Sequence, residues 1–236
     1  MVIHPDKTKS MIITTRQKHQ LIKPKLSLFI GNKAIEQVKN HKMLGIYLDS
    51  ELNWHMQINH LTKRLSKNVF LLSKLRKFVD TKHLKLFFDA HIMSHLNYSS
   101  TVWDGCCNDL FININRIHRR AIKIMSPLQN TSTEIKMKQL NILPLSENLK
   151  FNKAILVHKI YYNKTPQYLN QLLVKAPNRY NSMNLHPPLP RIDLYKSSLA
   201  FSGSLIWNNL PHDMKEKMST NSFKHKLYEH LHKSIL

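Results

Sequence analysis

Acidic residues are scarce in this 236-residue chain: 14 Asp and Glu stand against 36 Lys and Arg, so the formal net charge is +22. The carboxylates are scattered and no two aspartates are adjacent. A two-metal catalytic site needs clustered carboxylates to hold ions about 4 Å apart. We therefore predict no catalytic residue and no cofactor in this chain. So large a positive charge indicates a polyanionic partner instead.

Glycine and cysteine are also rare, with four and two residues. The few glycines argue against a glycine-rich phosphate loop and against a glycine-dependent all-β fold. Cys106 and Cys107 are adjacent, so no disulfide framework is present, and a reducing compartment, nucleus or cytoplasm, is expected. Adjacent cysteines chelate one ion poorly, and His91 and His95 fall on an apolar helix face, so we predict no metal site. A catalytic pair of either cysteine with His118 stays open as a remote alternative.

Long apolar runs are missing as well. No stretch reaches the length of a membrane span, and the first ten residues have no signal-peptide core, so we predict no membrane partner. Hydrophobic residues nevertheless make up 42% of the chain, enough for one or two compact cores. Trp54, Trp103 and Trp207 are expected to be core or capping residues rather than platforms on which bases stack.

The pattern of apolar residues predicts an α+β fold, with a small antiparallel sheet at the N-terminus followed by a mostly helical body. Strands are expected at 10–15, at 26–30 and 33–38 around the turn signal Gly31-Asn32, and at 43–48. Gly45 inside the last of these indicates a bulge or a close backbone neighbour. The alternative to this strand is a simple turn before the helix.

The chain divides into three predicted regions: a strand and hairpin region at 1–54, a helical region at 55–125, and a helical C-terminal region at 126–236. Proline-rich residues 177–195 are expected to be an irregular connection. Helices are predicted at 55–79, 81–104, 108–125, 133–140, 145–163, 165–176 and 222–235. In the second of these, one face is expected to bury Leu84, Phe88, His91, His95 and Tyr98.

The helix at 55–79 combines an apolar face with a basic one. At helical spacing its inner stripe contains Ile58, Leu61, Leu65, Val69, Leu72, Leu75 and Val79. Lys63, Lys67, Lys74 and Lys77 fall on the opposite side, with Phe70 among them. Like charges aligned in this way repel one another. The face is therefore either simply solvated or arranged to follow a phosphate backbone.

The helix at 108–125 repeats this division. Its inner stripe is predicted to contain Leu110, Ile114, Ile117, Ala121 and Ile124. Its outer face carries Arg116, Arg119, Arg120 and Lys123. Two separate helices with outer faces of one sign favour nucleic acid as the partner. Lys215 and Lys217, in a polar late segment, are expected to lie outside this binding surface.

Residues 41–79 also resemble a known family. The pattern K-x-LG-x-x-LD-x-x-L-x-W-x-x-x-I is similar to the segment after the catalytic palm in reverse transcriptases of non-LTR (LINE-type) retrotransposons. The matching residues are Lys42, Leu44, Gly45, Leu48, Asp49, Leu52, Trp54 and Ile58. Further matches are Lys7, Thr8, Met11, Tyr98, Trp103, Phe201, Trp207, Asn208, Leu210, Pro211, Phe223 and Lys224.

The resemblance implies the C-terminal portion of such an enzyme: the end of the palm, the thumb and a downstream region. The family's Tyr-x-Asp-Asp motif would lie upstream of His4, and the Mg²⁺ that the family uses would bind there, so this RNA-directed DNA polymerase would be inactive alone. Leu44, Gly45 and Ile46 would lie near a primer grip. The basic helix faces would contact the backbone of RNA, DNA or an RNA–DNA duplex, with no small-molecule substrate.

Two other interpretations remain open at this point. The chain is either a retroelement-derived interaction or structural protein whose positive surface binds acidic partners, or an enzyme with unrecognised hydrolytic chemistry. Strong salt dependence of binding would favour nucleic acid over the hydrolytic alternative.

Overall fold

The computed structural model describes residues 4–22, 26–177 and 183–234. Its first part contains short strands, a 3₁₀ turn at Pro5–Lys7 and a short α-helix, α1 (Arg16–Ile22), which the sequence did not predict. The strands are β1 (Lys9–Ser10), β2 (Phe29–Ile30), β3 (Lys33–Ala34), β4 (Glu36–Gln37), β5 (Asn40–Met43) and β6 (Ile46–Asp49). Strands β2 and β3 form the predicted hairpin, because Gly31 adopts a φ of +57° that suits glycine.

Other strand predictions need correction. The strand expected at 10–15 reaches only Ser10, where β1 pairs in parallel with β4. The strand expected at 43–48 is a hairpin, since β5 and β6 pair antiparallel with Met43 opposite Ile46. Leu44 and Gly45 form its turn with φ values of +47° and +84°, the two consecutive positive φ angles of a type I′ connection.

Asp49 directs the chain from the hairpin into the first long helix. Its carboxylate accepts backbone N–H bonds from Glu51, Asn53 and Trp54 at 3.1, 2.8 and 2.8 Å. A carboxylate that collects several N–H groups in this way fixes a tight turn. The helix α2 (His55–Leu75) begins immediately afterwards.

Helices make up most of the remaining chain, so the α+β prediction is confirmed. After α2 come α3 (Thr81–Phe88), α4 (Ser94–Asn97), α5 (Ser100–Trp103), α6 (Asn108–Met125), α7 (Thr133–Gln139) and α8 (Leu145–Tyr161). The C-terminal part contains α9 (Gln167–Asn170), β7 (Val174–Lys175), β8 (Leu185–His186), α10 (Asp193–Lys196), α11 (Ser204–Asn208), α12 (His212–Lys215) and α13 (Thr220–Lys233).

A π-helical segment changes the face that follows α3. Leu84 and Phe88 are buried as predicted, but Asp89–Met93 is wound as a π-helix. Because π turns take more residues than α turns, the buried face advances by one position. The side chains buried next are Ile92 and Leu96, whereas His91, His95 and Tyr98 are exposed or half-exposed.

The predicted helices of the C-terminal half are only partly present. The helix expected at 165–176 ends at Asn170, and Val174–Lys175 instead pairs with Leu185–His186. That pairing puts a strand inside the connection predicted at 177–195, of which residues 178–182 lie outside the described residues. The helix expected at 222–235 is present as α13, two residues earlier at its start.

Two apolar cores form along the chain. The first core runs from Ile46 to Leu149, and α2 packs on α6 at its centre. The second core contains Ala154, Ile155, Val157, Ile160, Leu173, Leu185, Trp207, Leu210, Met214, Phe223 and Leu227. Helix α8 belongs to both, because its first turns pack in the first core and its later turns in the second. The three predicted regions stay a prediction, but the change from one core to the other falls within this helix.

Candidate nucleic-acid interface

The basic face of α2 lies opposite a fully buried stripe. Ile58, Leu65 and Leu72 are at most 1% exposed, whereas Lys63, Lys67 and Lys74 are exposed. The helix ends at Leu75, four residues earlier than predicted, so Val79 leaves the stripe and is exposed. Lys77 is exposed too, in the turn just after the helix.

Phe70 lies among these lysines with 59% of its surface exposed. The ammonium nitrogen of Lys74 is 5.3 Å from the centroid of its ring, within the range of a cation–π interaction. The outer face of α2 therefore presents an aromatic ring between positive charges. We call the exposed side chains of Lys63, Lys67, Phe70 and Lys74 the α2 basic face.

The second basic face is less uniform than the sequence suggested. On α6, Arg116, Arg120 and Lys123 are exposed. Arg119 instead donates to the carboxylate of Glu134 on α7 at 2.8 Å. The pKa of Glu134 is lowered, first by a backbone N–H bond at its own position and then by Arg119. Three of the four predicted cations on α6 are therefore exposed without a described ion pair, and one is paired within the protein.

The inner stripe of α6 is rotated slightly from the prediction. Leu110, Ile114 and Ala121 are buried as expected, while Ile117 and Ile124 are only half-buried. The positions that complete the buried stripe are His118, Ile122 and Met125. Since α2 and α6 pack through their apolar stripes, their basic faces turn away from the shared core.

A group of histidines beside Arg64 was missed from the sequence. His60 and Arg64 are one turn apart on α2, and His91 and His95 follow on the next helices. The pKa of His95 is lowered, mainly by burial and then by Arg64, His91 and His60. The spacing of His91 and His95 was visible in the sequence, but only the fold brings this pair to His60 and Arg64.

The residues implied as a primer grip occupy the β5–β6 hairpin. Leu44 is exposed at its tip, and its carbonyl oxygen accepts a 2.6 Å bond from the hydroxyl of Tyr98. Gly45 lies against the same ring, since a Cβ at this position would be 3.4 Å from it. Ile46 is buried in the first core. This trio therefore forms a supported turn rather than the middle of a strand.

The cysteine–histidine pair considered from the sequence does not form. Cys107 is exposed, Cys106 is half-buried, and His118 is completely buried in the first core beside Phe88. Burial raises the pKa of Cys106 to about 11, which disfavours the thiolate. Within the described residues, no group of three or more His, Cys, Asp or Glu side chains is arranged to hold a metal ion.

Two further findings concern Trp and Lys positions. Trp54, Trp103 and Trp207 are buried, as predicted.

Lys215 was predicted to lie in a polar segment but is only 5% exposed. Its ammonium group donates to Asn184 Oδ1 at 2.9 Å and to the carbonyl oxygen of Asn208 at 2.8 Å. Lys217 is exposed.

The fold and this surface together define a small α+β protein with two basic helix faces. No family model matches the sequence, and neither the curated proteins nor the solved structures include a significant match. Among the described residues, no helix has both the length and the hydropathy needed to cross a membrane.

Proposed function

We propose that this chain binds the phosphate backbone of nucleic acids through the α2 basic face, with the exposed cations of α6 as a second contact surface. The observation that carries the proposal is the line of exposed lysines around Phe70, opposite a stripe that is at most 4% exposed from Ile58 to Leu72. The buried stripe fixes the helix, so the lysines are held in register.

The lysines of the α2 basic face repel one another, and a binding partner would compensate this repulsion. Aligned lysines destabilise a helix by a few tenths of a kcal/mol per pair, whereas mixed signs stabilise it. A phosphate backbone compensates that repulsion, because each lysine that contacts it releases condensed counterions. The exposed ring of Phe70 adds a surface on which an unpaired base can stack.

The resemblance to non-LTR reverse transcriptases fits the same proposal. On that interpretation α2 and α6 belong to a thumb that holds an RNA–DNA duplex, in the nucleus or cytoplasm. The competing interpretation is a retroelement-derived interaction protein whose positive surface binds acidic proteins. Phe70 between the lysines favours nucleic acid, since a stacking ring gives no advantage towards carboxylates.

Fluorescence anisotropy with a labelled RNA–DNA duplex at several salt concentrations tests the proposal. The logarithm of the affinity is expected to fall linearly with the logarithm of salt concentration. The triple variant Lys63→Glu, Lys67→Glu, Lys74→Glu is expected to flatten that slope by about 2 to 3, which corresponds to roughly 0.7–0.9 for each of three lost phosphate contacts.

The matched control is Lys217→Glu, Lys226→Glu, Lys233→Glu, which makes the same charge change at three exposed positions. Lys215 is unsuitable as a control because it is buried and hydrogen-bonded. We expect the control to keep most of the slope. An equal loss in both variants would mean that binding depends on diffuse charge only, and tighter binding to a polyglutamate than to the duplex would favour the acidic-protein alternative.

We also propose that the chain does not polymerise DNA by itself. Its sequence contains no cluster of carboxylates that would hold the magnesium ions of a polymerase. Purified chain is incubated with a primed RNA template, deoxynucleotides and Mg²⁺, and no extension is expected. Template-dependent extension that co-purifies with the chain and is lost on removing it would refute this statement.

A further inference from the structure

An open groove lies between α8, α13 and the loop that contains Asn141. None of the residues of the α2 basic face lines it. Its volume is about 590 Å³, within the range of small-molecule sites. Helix α13 supplies most of its lining, because residues spaced by one turn face the same side. The lining residues that matter here are Phe151, Lys224, His225, Tyr228 and His232.

Three rings form one wall of this groove. The rings of Phe151 and Tyr228 meet edge to face, with centroids 6.0 Å apart and planes at 87°. Those of Tyr228 and His232 are nearly parallel, with centroids 5.9 Å apart and planes at 16°. All three side chains are half-buried, so part of each ring remains accessible. The hydroxyl of Tyr228 donates to the carbonyl oxygen of Asn141 at 2.7 Å, which holds its ring in place.

The ionisable side chains of the groove besides Tyr228 are one lysine, one carboxylate and two histidines. Lys224 is exposed and has no ion pair among the described residues. His225 is 3.6 Å from Glu229, the only carboxylate in the lining. The Nε2 atom of His232 is buried and has no hydrogen-bond partner in the described part of the chain. A buried polar atom without a partner is unusual.

We propose that this groove binds one nucleotide unit, with its base against the rings of Tyr228 and His232 and its phosphate at Lys224. Aromatic rings bind bases of any sequence, because every base has a π face. A lysine without an internal partner binds a phosphate through a charge-assisted hydrogen bond. The site lies on the second core and goes beyond the proposed function, which concerns α2 and α6.

The occupant is either a free nucleotide or one unit of a strand, and calorimetry distinguishes them. The probes are AMP, adenosine, inorganic phosphate and the oligonucleotide d(A)5. The oligonucleotide is titrated into the Lys63→Glu, Lys67→Glu, Lys74→Glu variant, so that the α2 basic face does not contribute. Binding of AMP assigns a free nucleotide, and binding of d(A)5 without AMP assigns a strand. Either result supports the proposal if substitutions of the groove residues weaken the binding.

Three variants test that dependence. Lys224→Ala is expected to weaken binding of AMP or d(A)5 about tenfold while leaving adenosine unchanged, because a charged hydrogen bond to phosphate is lost. Tyr228→Leu is expected to weaken both AMP and adenosine by about fivefold or more, the loss expected from removing a stacking ring. His232→Leu breaks no described hydrogen bond. It therefore tests whether the ring wall of the groove contributes to binding even if Tyr228→Leu does not fold.

Lys226→Ala is the control, since this exposed residue is on α13 but does not line the groove. Absence of binding of both AMP and d(A)5 at millimolar concentration would overturn the proposal. Binding that Lys224→Ala, Tyr228→Leu and His232→Leu all leave unchanged would overturn it too, because the ligand would then be elsewhere. Neither outcome affects the α2 proposal, whose test uses a duplex and different variants.

Discussion

The two cores of this protein differ in what fills them. The first core is mainly aliphatic, and its stripe on α2 consists of Ile, Leu and Val side chains. The second is centred on rings: His158 stacks on Phe223 with centroids 4.2 Å apart, and lies 6.3 Å from Trp207. The first core is assembled from helices that follow one another, whereas Trp207 and Phe223 reach α8 across a long connection.

The helices that pack on the two cores present different outer surfaces. A stripe on a long helix buries one face and leaves the other free, so α2 and α6 can carry charges in register. The second core packs α8 and α13 around a ring cluster, and an open groove lies beside α13. The first core therefore displays charged helix faces, whereas the groove lies where α13 meets α8 and the loop of Asn141.

The largest effect is expected from the ion pair that connects the cores. Lys153 on α8 lies 2.7 Å from Asp104 and donates to Ser202 at 2.8 Å, and both charged side chains are less than 10% exposed. Lys153→Met leaves Asp104 buried without a partner, which costs about 3–5 kcal/mol of unfolding free energy. Chemical denaturation followed by tryptophan fluorescence and by circular dichroism measures the loss.

Lys150→Met is the control for this variant. It removes an exposed pair with Glu147 on the same helix, worth less than about 1 kcal/mol. If both cores depend on Lys153, the two probes will report one common transition at lower denaturant. A Lys153→Met protein as stable as Lys150→Met would show that the pair does not connect the cores.

The next effect compares one histidine in each core. His118 and His158 are both completely buried, and no described group bonds to their ring nitrogens. Burial lowers the pKa of each to about 4, with a smaller contribution from Arg119 or Lys164. The unfolded chain binds these protons near pH 6.5, so stability is complete above pH 6.5 and declines as the pH falls from 6.5 towards 4.

Each histidine is expected to remove up to about 1.4 kcal/mol of stability per pH unit in that window. His158→Phe and His118→Phe should each make the decline shallower, and neither loses a described hydrogen bond. Denaturant unfolding between pH 4 and pH 8 measures the slopes. His225→Phe, at an exposed position, is the control. A slope unchanged by both core variants would place the acid sensitivity elsewhere.

The smallest effect concerns Arg119, the α6 cation that is paired within the described residues. Glu134→Gln removes the partner of Arg119 and costs at most about 1 kcal/mol, because the pair is half-exposed. If α6 contributes a contact surface, the freed guanidinium should steepen the salt dependence of duplex binding by about 0.7–0.9. Anisotropy titrations measure the slope. Glu147→Gln makes the same charge change on α8, so an equal gain there would argue against a specific role for Arg119.

Much of the first core could be predicted from the sequence. The stripe from Ile58 to Leu72 and the lysines opposite it follow from helical periodicity, and the structure places them as expected. The Gly31 hairpin follows from local turn chemistry. The α+β class follows from the order of such elements. The resemblance to reverse transcriptases and the binding roles derived from it stay predictions.

Other features required the tertiary structure. The Leu44-Gly45 turn is held by Tyr98, and the rotation of the face after Phe88 depends on a π-helical segment. Lys215 is buried where it bonds to Asn184, 31 positions earlier, and to the backbone of Asn208, seven positions earlier.

The sequence by itself determined the charge and the two faces of α2, because a helix face follows from residues within one or two turns of each other. Only the tertiary structure decided the partners: Glu134 for Arg119, Asp104 for Lys153 and Asn141 for Tyr228. These pairs are separated by 15, 49 and 87 positions. Local periodicity carries no information at such distances, since packing across the core selects which side chains meet.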